Sequence, residues 1–450
     1  MPRFFGRSAV REIKIQLPEK VNTIIGTLME HGYEAYAVGG CVRDSILGRE
    51  PEDWDITTSA TPEQTKALFE KTFDTGIEHG TVTVLLDKDS FEVTTYRIDG
   101  KYEDSRHPSE VTFTRSLKED LMRRDFTINA MAYNEKDGLV DIFGGQEDLA
   151  EGVIRCVGYA AARFSEDALR ILRGVRFAAQ LGFCIEEITR QGMRKLAPTL
   201  VNISAERIQV ELVKMLTSKR PGYLREAYEL GITAQFMPEF DEMMGVEQET
   251  PHHIYTVGEH TLHSLANIRA DKVLRLAMLM HDMGKPAMKT IDEKGIAHFK
   301  KHALESEVIA KDILKRLKFD NDTIHKVTRL VHFHDYRMPV EAENVRRAMH
   351  KIGEELFPQY IEVRRADVLA QSLFLREEKL EDLDGIEKLY QDILEKKECV
   401  SLKDLAVTGN DLIEAGMSPG KEIGEKLEKL LELVIRKPEY NTKEELLKRL

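Results

Sequence analysis

Two aspartates that follow a glycine turn constrain this chain more than any other feature. The segment Val38-Gly39-Gly40-Cys41-Val42-Arg43-Asp44 is followed nine residues later by Asp53-Trp54-Asp55. On a strand, residues i and i+2 project to the same face, so the two carboxylates can share one site. Carboxylates that close repel each other unless a cation lies between them. The pair therefore predicts a divalent metal site, and the glycines let backbone amides approach a phosphate.

Two further residues complete this candidate site. Glu92, in the strand-like segment Phe91–Thr95, is expected to supply a third carboxylate from a neighbouring strand. Arg43 can neutralise charge on a bound phosphate. A lone Asp-X-Asp is usually a solvated turn or strand edge, and a glycine pair before a helix is usually only a turn. The prediction therefore depends on the ordered combination.

The pattern of apolar residues changes along the chain. In the first third, amphipathic helices alternate with strands, and TVTVLLD and SFEVTTYR alternate with a period of two, as hairpin strands do. The patterns that follow are almost all helical, with many histidines in the middle. A chain of 450 residues is too long for one ordinary domain. We expect an α+β protein with an α/β head over residues 1–150 and helical segments over residues 151–245, 252–390 and 395–450.

Composition limits the class of protein. No apolar run approaches the roughly 20 residues of a membrane span, so we expect no membrane partner. The cysteines lack CxxC spacing and cannot form a disulfide framework, which indicates the cytoplasm; they are Cys41, Cys156, Cys184 and Cys399. The net charge of −13 argues against a nucleic-acid partner, but residues 151–220 contain twelve Lys or Arg and seven Asp or Glu. Phosphate contacts need only local positive charge, although such a patch alone is typical of a solvated helical surface.

Five blocks, in order over about 170 residues, resemble class II tRNA nucleotidyltransferases, the family of CCA-adding enzymes and bacterial poly(A) polymerases. They read AVGGCVRDSILGREPEDWDITTSATPEQ, RRDFTINAMAY, LVDIFGGQEDL, SEDALRILRGVRFA and SAERIQVEL. The resemblance implies a nucleotidyltransferase head with a helical neck, which adds CCA to tRNA 3′ ends from CTP and ATP without a template. It also implies that Asp53, Asp55 and Glu92 are catalytic, with Mg²⁺ bound at the two aspartates.

The same blocks suggest how the nucleotide is bound. Asp125 and Asn129 lie four residues apart, which would place them on one face of a helix, and the resemblance implies that they contact ribose. Asp167 and Arg170 are one helical turn apart, and the resemblance implies that they select the base. Alone, Asp125 would be a helix cap and the Asp167/Arg170 pair a surface salt bridge. The expected nucleotide-binding residues are Gly39, Gly40, Arg43, Arg124, Asp125, Asn129, Asp167, Arg170, Arg173 and Arg176.

Three functions stay open at this point. The polar segment Tyr102–Pro108 resembles the loop that the family needs to switch to ATP, which favours full CCA addition. A poly(A) polymerase or an enzyme that adds only A would use the same chemistry. A phosphohydrolase whose head merely binds RNA belongs to a different class, and the complete carboxylate, ribose and base blocks argue against it.

Histidines and aspartates punctuate the middle of the chain. Their order resembles the HD superfamily of metal-dependent phosphohydrolases over about residues 252–370. The resemblance implies that His260, His281, Asp282 and Asp367 are the core ligands of a divalent transition metal. A second metal position would be completed by His302 and His332, with His334 as an alternative to His332. A lone histidine in a helix is more often structural than a ligand.

The last segment contains a glycine turn at residues 416–424 that opens a charged helix. Free amides at a helix N-terminus suit backbone phosphates of RNA, although an ordinary capping turn has the same pattern. Similar segments end many tRNA nucleotidyltransferases, where the tail grips the tRNA elbow. The expected partners are therefore tRNA, CTP and ATP, and the oligomeric state stays open.

Overall fold

The computed structural model describes residues 13–100 and 111–450. The chain divides into two compact units, one of Met1–Met215 with Glu226–Phe236 and one of Leu216–Arg225 with Met237–Leu450. The segment Tyr102–Pro108 lies outside the described residues. No helix in the described ranges has the length and apolar character that crossing a membrane requires.

The head contains a mixed sheet of seven strands. Its central strand Ile56–Thr58 pairs in parallel with Asp89–Thr95 and antiparallel with Ala35–Val38. The parallel register places Ile56, the first residue of the central strand, beside Val93 in the second half of Asp89–Thr95. The strand order across the sheet is Thr72–Gly76, Thr81–Leu86, Asp89–Thr95, Ile56–Thr58, Ala35–Val38, Met131–Asn134 and Gly138–Asp141. A separate antiparallel pair joins Arg97–Asp99 to Val111–Phe113.

Two of the head helices, Pro62–Leu68 and Leu117–Met122, begin at side-chain caps, which Thr61 and Ser116 supply. Thr61 and Gln64 form a capping box, and Pro62 occupies the first helical position. Glu19–Glu30 buries an apolar stripe that includes Ile24 and Leu28. The predicted hairpin of TVTVLLD and SFEVTTYR is confirmed by an antiparallel ladder. The head helices are Glu19–Glu30, Gly40–Ile46, Pro62–Leu68, Leu117–Met122 and Gly145–Glu151.

After the head, the chain is helical except for a short parallel pair of strands, Val153–Ile154 with Cys184–Ile185. The helix Leu169–Leu181 is buried on most sides. The helices here are Ala160–Glu166, Leu169–Leu181, Glu187–Leu196, Ala205–Leu216 and Leu224–Glu229. Turns of 3₁₀ helix occur along the chain at Ile77–His79, Thr127–Asn129, Ala197–Asn202, Pro221–Tyr223, Thr233–Gln235, Leu402–Asp404 and Pro438–Tyr440.

The second unit is helical apart from a small hairpin, Thr290–Ile291 with Ala297–His298. Its last part has its own apolar cluster, which includes Leu412, Val434 and Leu446. With the head sheet, these helices confirm the predicted α+β class. The helices of the second unit are Pro238–Met244, Val257–Ala266, Lys272–Met280, Lys285–Met288, His302–Arg316, Asn321–Phe333, Ala342–Ile352, Phe357–Ala370, Arg376–Glu395, Gly409–Glu414, Lys421–Arg436 and Lys443–Leu447.

Candidate active site

Three carboxylates meet at one end of the head sheet. Asp55 directly precedes the central strand Ile56–Thr58, and its carbonyl oxygen accepts a hydrogen bond from the N–H of Val38 at 3.0 Å. The parallel register pairs Ile56 with Val93, so the residues before them, Asp55 and Glu92, are neighbours. Asp53 lies two residues earlier. The strand begins at Ile56, so the two aspartates directly precede the strand instead of lying on it as the sequence pattern predicted.

The carboxylates of this group carry like charges and repel one another. The Asp55 side chain is open to solvent, yet desolvation by the surrounding protein raises its pKa; Arg124 opposes this shift and Asp53 adds to it. The pKa of Glu92 is raised by desolvation, then by Asp55 and Asp53. Carboxylates that raise one another's pKa are stabilised by a cation between them. The donor set fits a hard divalent ion such as Mg²⁺, which prefers carboxylate oxygens.

A cavity of about 340 Å³ opens beside Asp55. This volume is at the lower end of the roughly 300–1,000 Å³ of small-molecule sites. Five arginines line it, which suits a triphosphate. Of the lining residues, Arg123 and Phe177 were missed by sequence reasoning. The lining is Gly39, Gly40, Arg43, Asp55, Arg123, Arg124, Asp125, Asn129, Arg170, Arg173 and Phe177.

Gly39 is required at its position for two reasons. Its φ of 83° lies in the region that side chains other than glycine rarely adopt. A Cβ atom at this position would also lie 3.1 Å from the guanidinium NH1 of Arg124. Because Gly39 has no side chain, the Arg124 guanidinium can lie close to the backbone of the glycine turn.

A chain of hydrogen bonds fixes one wall of the cavity. The Arg43 guanidinium donates to both Asp44 oxygens at 2.9 and 2.8 Å and to the Asn129 side-chain oxygen at 2.7 Å. The Asn129 amide donates to Asp125 at 3.1 Å, and Arg173 donates to the other Asp125 oxygen at 2.9 Å. Burial alone would raise the pKa of Asp125, but Arg173 and Asn129 lower it to about 2. Asp125 therefore stays ionised at neutral pH.

The expected helix through Asp125 and Asn129 is absent. Asp125 lies in a bend outside any helix, its carbonyl accepts from the Val157 N–H at 3.1 Å, and the turn Thr127–Asn129 is a 3₁₀ helix. The helical rationale for this pair is therefore wrong, although their side chains meet.

The expected helix through Asp167 and Arg170 is also broken. Asp167 is extended and ends one helix, while Arg170 lies in the next, Leu169–Leu181. Asp167 accepts from Arg207 at 2.7 Å, and Arg170 donates to Glu166 at 2.6 Å. The two side chains are thus held by different partners, and the assumption that they point together from one helix is wrong.

Arg176 does not line the cavity. It is buried, its Nε lies 2.7 Å from a Glu211 oxygen, and its guanidinium lies over the Phe177 ring. The expectation that Arg176 reaches the triphosphate is corrected accordingly. Glu211 holds the Arg176 side chain in a buried ion pair, so this side chain cannot also reach into the cavity.

Asp120, which sequence reasoning missed, anchors two of the cavity arginines. It is fully buried and accepts from Arg123 Nε at 2.9 Å and from Thr57 Oγ1 at 3.1 Å. A guanidinium nitrogen of Arg124 lies 3.5 Å from its other oxygen. Burial alone would raise the pKa of Asp120, but Arg123 and Arg124 lower it. The carboxylate thus ties both arginines to the strand that follows Asp55.

Replacing Asp120 by Ala is expected to destabilise the head. Breaking a buried ion pair from one side costs about 3–5 kcal/mol. Here Arg123 and Arg124 would lose the carboxylate that they share. At about 2–4 °C per kcal/mol, the midpoint of the head's thermal transition should fall by roughly 6–20 °C. Asp120→Asn keeps the Thr57 hydrogen bond and should lose less. A midpoint within 2 °C of the parent in Asp120→Ala would contradict the anchoring role.

A second candidate site lies in the second unit, where imidazoles and carboxylates cluster. One ligand atom each from His260, His281 and Asp282 lie within 4.8 Å of one another, and the same holds for Asp282, His302 and His334. Asp367 Oδ1 lies 2.8 Å from His260 Nε2. These groups are buried. Asp282 is common to both triads, an arrangement that suits two neighbouring metal positions.

The ring tautomers of this cluster suit metal binding. Nδ1 of His281, His302 and His334 each lies 2.6–2.8 Å from a backbone carbonyl three residues earlier. A carbonyl only accepts, so Nδ1 carries the proton and Nε2 offers a lone pair. Burial lowers the pKa of His302 to about 4, so it is neutral at pH 7. The Nε2 atoms of His302 and His334 lie 3.1 Å apart, close enough for both to bind one cation.

His332 lies outside this cluster. Its Nδ1 pairs with Glu307 at 2.6 Å, and the side chain is about one-third exposed. His334 occupies the position expected for His332, so the choice of His332 as a ligand is corrected. Sequence reasoning also missed Lys285, whose buried ammonium lies 2.8 Å from Asp282.

A mixed sheet with a group of carboxylates, of which Asp55 lines an arginine-rich cavity, defines the head as that of a nucleotidyltransferase. Three family models match: the Poly A polymerase head domain at residues 35–155, the probable RNA and SrmB-binding site of polymerase A at 182–244, and tRNA nucleotidyltransferase domain 2 at 292–450. The CCA-adding enzyme of Limosilactobacillus reuteri is 36% identical over 435 residues, 93% of this chain and 94% of that enzyme. The chain belongs to the family of CCA-adding enzymes, which are metal-dependent nucleotidyltransferases.

Two further relatives support this assignment. The CCA-adding enzyme of Lactiplantibacillus plantarum is 51% identical over 212 residues, which are 46% of this chain and 52% of that enzyme. The crystal structure of the Bacillus stearothermophilus CCA-adding enzyme in complex with CTP has a TM-score of 0.71 at 32% identity. That comparison covers 95% of this chain and 96% of the other.

Proposed function

We propose that this chain adds CCA to the 3′ ends of tRNA, using CTP and ATP with Mg²⁺. The observation that carries the proposal is Asp55, which lines the arginine-rich cavity and has Glu92 as its neighbour across the parallel strand pair. Asp53, two residues before it, completes the proposed group. A group of carboxylates beside clustered guanidinium groups can hold a metal-bound triphosphate. The CCA-adding relatives of similar length support tRNA, CTP and ATP as partners.

In the proposed reaction, the RNA 3′-hydroxyl attacks the α-phosphorus and pyrophosphate leaves. Arg43, Arg124 and Arg173 bind the phosphate oxygens, and the Gly39 turn lets them approach the backbone. Asp53, Asp55 and Glu92 would hold Mg²⁺, which when bound would supply Lewis acidity for the attacking hydroxyl and positive charge for the leaving pyrophosphate. Asp125 and Asn129 hold the ribose hydroxyls.

Asp167 and Arg170 are proposed to read the base. In the described structure each is held by an ionic partner, Arg207 and Glu166 respectively. Base reading therefore requires that these partners orient the two side chains or release them. The proposed switch to ATP through Tyr102–Pro108 lies outside the described residues.

The four segments are proposed to divide this work. The head (1–150) carries the chemistry, the neck (151–245) the base and RNA contacts, residues 252–390 the histidine cluster, and residues 395–450 a tRNA grip. Support for the tail comes from the helix Lys421–Arg436, which begins after the glycine turn. We place the reaction in the cytoplasm, which free thiols at all four cysteines support.

Nucleotide incorporation tests the proposed function. Purified protein is given tRNA that lacks one, two or three terminal residues, with labelled CTP or ATP. We expect C, C and A to be added in order and addition then to stop. Continued addition of A would indicate a poly(A) polymerase, addition of A alone an A-adding enzyme, and no incorporation a binding module.

We propose a second activity, metal-dependent phosphoester hydrolysis, at the histidine cluster. The observation that favours it is the buried triad of Asp282, His302 and His334, whose ligand atoms lie close enough together to bind one divalent transition metal. The adjoining pocket of about 350 Å³ is also lined by Lys285, Lys300 and Lys301, which suit a phosphate. Hydrolysis of a chromogenic phosphodiester with Ni²⁺, Mn²⁺ or Co²⁺ tests the activity, and no turnover with any metal would contradict it.

A further inference from the structure

The Phe177 ring lies among three guanidinium groups. Phe177 belongs to the helix Leu169–Leu181 and lines the nucleotide cavity, although its side chain is almost fully buried. The ring centroid lies 3.6 Å from the Cζ atom of Arg176, 5.1 Å from that of Arg43 and 5.4 Å from that of Arg173. All three distances fall within the roughly 6 Å over which an aromatic ring attracts a cation. Arg43 and Arg173 line the cavity as well, so the ring contacts two arginines of the nucleotide site.

Guanidinium groups that share one ring repel one another, because they carry like charges. Desolvation lowers the pKa of Arg176, and the positive charge of Arg173 lowers it further. Asp44 neutralises part of the charge of Arg43 at 2.8 Å. Asp125 does the same for Arg173, also at 2.8 Å. The negative potential at the face of the ring adds to the stabilisation that these carboxylates provide.

A ring stabilises a guanidinium group in a different way from a carboxylate. A carboxylate accepts the N–H groups at the edge of the guanidinium, and a phosphate needs the same donors. A ring attracts the positive charge and leaves those N–H groups available. Among the described residues Arg43 donates three hydrogen bonds, to Asp44 and Asn129, and a guanidinium carries five N–H donors. The ring can therefore hold this arginine while its remaining donors bind phosphate oxygens.

The Phe177 ring is itself held by two neighbours. The Arg176 guanidinium lies against it, and Glu211 fixes that guanidinium at 2.7 Å. The ring of Phe126 meets it edge to face, with centroids 6.0 Å apart and planes at 80°. The helix approaches Phe126 this closely because Gly174 has no Cβ, which would lie 2.9 Å from the Phe126 ring. A ring that is fixed in this way can in turn fix the groups that it contacts.

We infer that Phe177 is a positioning residue for the triphosphate, because its ring holds the guanidinium groups of Arg43 and Arg173 where they bind phosphate oxygens. This inference rests on the nucleotide site of the proposed function. The ring acts on the phosphates through the arginines and does not read the base. Binding of CTP and of inorganic triphosphate should therefore depend on the ring to the same extent.

Calorimetric titration of the full-length protein with inorganic triphosphate and Mg²⁺ tests the inference, because this probe has neither base nor ribose. Phe177→Leu keeps an apolar side chain of similar size and removes the face of the ring. The dissociation constant is expected to rise about fivefold or more, since two cation–ring contacts at the cavity are lost. CTP should bind more weakly by the same factor. Thermal unfolding reports whether the variant folds.

A series of fluorinated phenylalanines at position 177 separates the electrostatic effect from packing. Fluorine withdraws electron density from the face of the ring and changes its size little. From one to three fluorine atoms, the dissociation constant is expected to rise stepwise, to about threefold or more. The same series at Phe164 is the matched control. Phe164 is a fully buried ring of the same compact unit, and among the described residues no cationic group lies over it, so the dissociation constant should stay constant.

The outcomes separate this inference from the proposed function. If the parent binds triphosphate but incorporates no nucleotide into tRNA, CCA addition fails and the two fluorinated series still decide the role of Phe177. A dissociation constant that is flat across the series at position 177, or that rises equally at Phe164, overturns the inference even if Phe177→Leu binds weakly. An effect on CTP without one on inorganic triphosphate would mean that the ring contacts base or ribose, and it overturns the inference too. If the parent binds no triphosphate, the inference and the nucleotide site fail together.

Discussion

Replacing Asp55 by Ala is expected to lower nucleotide incorporation at least about a thousandfold. Charge stabilisation by a bound metal contributes several kcal/mol to the transition state, and each 1.4 kcal/mol is about tenfold in rate. Asp55 also carries no structural ion pair in the described residues, and its side chain is open to solvent. Stability should therefore change by only about 0.5 kcal/mol. Incorporation of labelled CTP into tRNA that lacks its last three residues measures the loss.

The matched control is Asp87→Asn. Asp87 is an exposed carboxylate of the same sheet, 80% exposed, in the turn between Thr81–Leu86 and Asp89–Thr95, where it pairs with Lys20. Asn tolerates the left-handed backbone that Asp87 adopts there. This variant should retain incorporation within about twofold. Parental activity in Asp55→Ala, with the thermal midpoint unchanged, would exclude Asp55 from the chemistry.

Replacing His334 by Ala is expected to lower the rate of metal-dependent hydrolysis about a hundredfold or more. The reason is that its Nε2 contributes to the triad with Asp282 and His302, and a lost ligand lowers metal affinity as well as positioning. Metal content after dialysis and turnover of a phosphoester with Mn²⁺ measure the effect. Nucleotide incorporation into tRNA should remain, because the head supplies that chemistry.

His332→Ala is the control, two residues away on the same helix end. Its ring pairs with Glu307 near the surface and contributes to neither triad. Metal content and hydrolysis should stay within about twofold of the parent. If His332→Ala lost the metal and His334→Ala retained it, His332 would be the ligand, as first expected from the sequence. That result would contradict the assignment of His334 from the structure.

The difference between these two histidines shows where sequence reasoning ends. The buried residues of the helix Asn321–Phe333 include Ile324, Val327 and Val331, a spacing of three and four. His334 continues that stripe three residues after Val331, and His332 does not. The apolar spacing therefore pointed to His334. It did not decide the choice, because a helix that ended before residue 334 would not extend the stripe to that residue.

In the nucleotide cavity, too, residue spacing along the sequence did not predict which side chains meet. Asp125 and Asn129 were paired on a helical spacing, yet they meet through a 3₁₀ turn after extended chain. Arg176 continues the spacing of Arg170 and Arg173, yet it is committed to buried Glu211. Each partner is distant in sequence, so local periodicity carries no information about it.

By itself, the sequence determined the class of the fold, and it predicted a metal-dependent chemistry at the carboxylates. The glycine turn, Asp53 and Asp55 are local features, because backbone conformation and residue spacing over a short segment place them. The tertiary structure alone decided which side chains share a site. Glu92 becomes a neighbour of Asp55 through strand register, Asp120 anchors Arg123 and Arg124 by burial, and His334 replaces His332 through helix rotation. These contacts depend on the packing of distant segments, which a linear pattern does not contain.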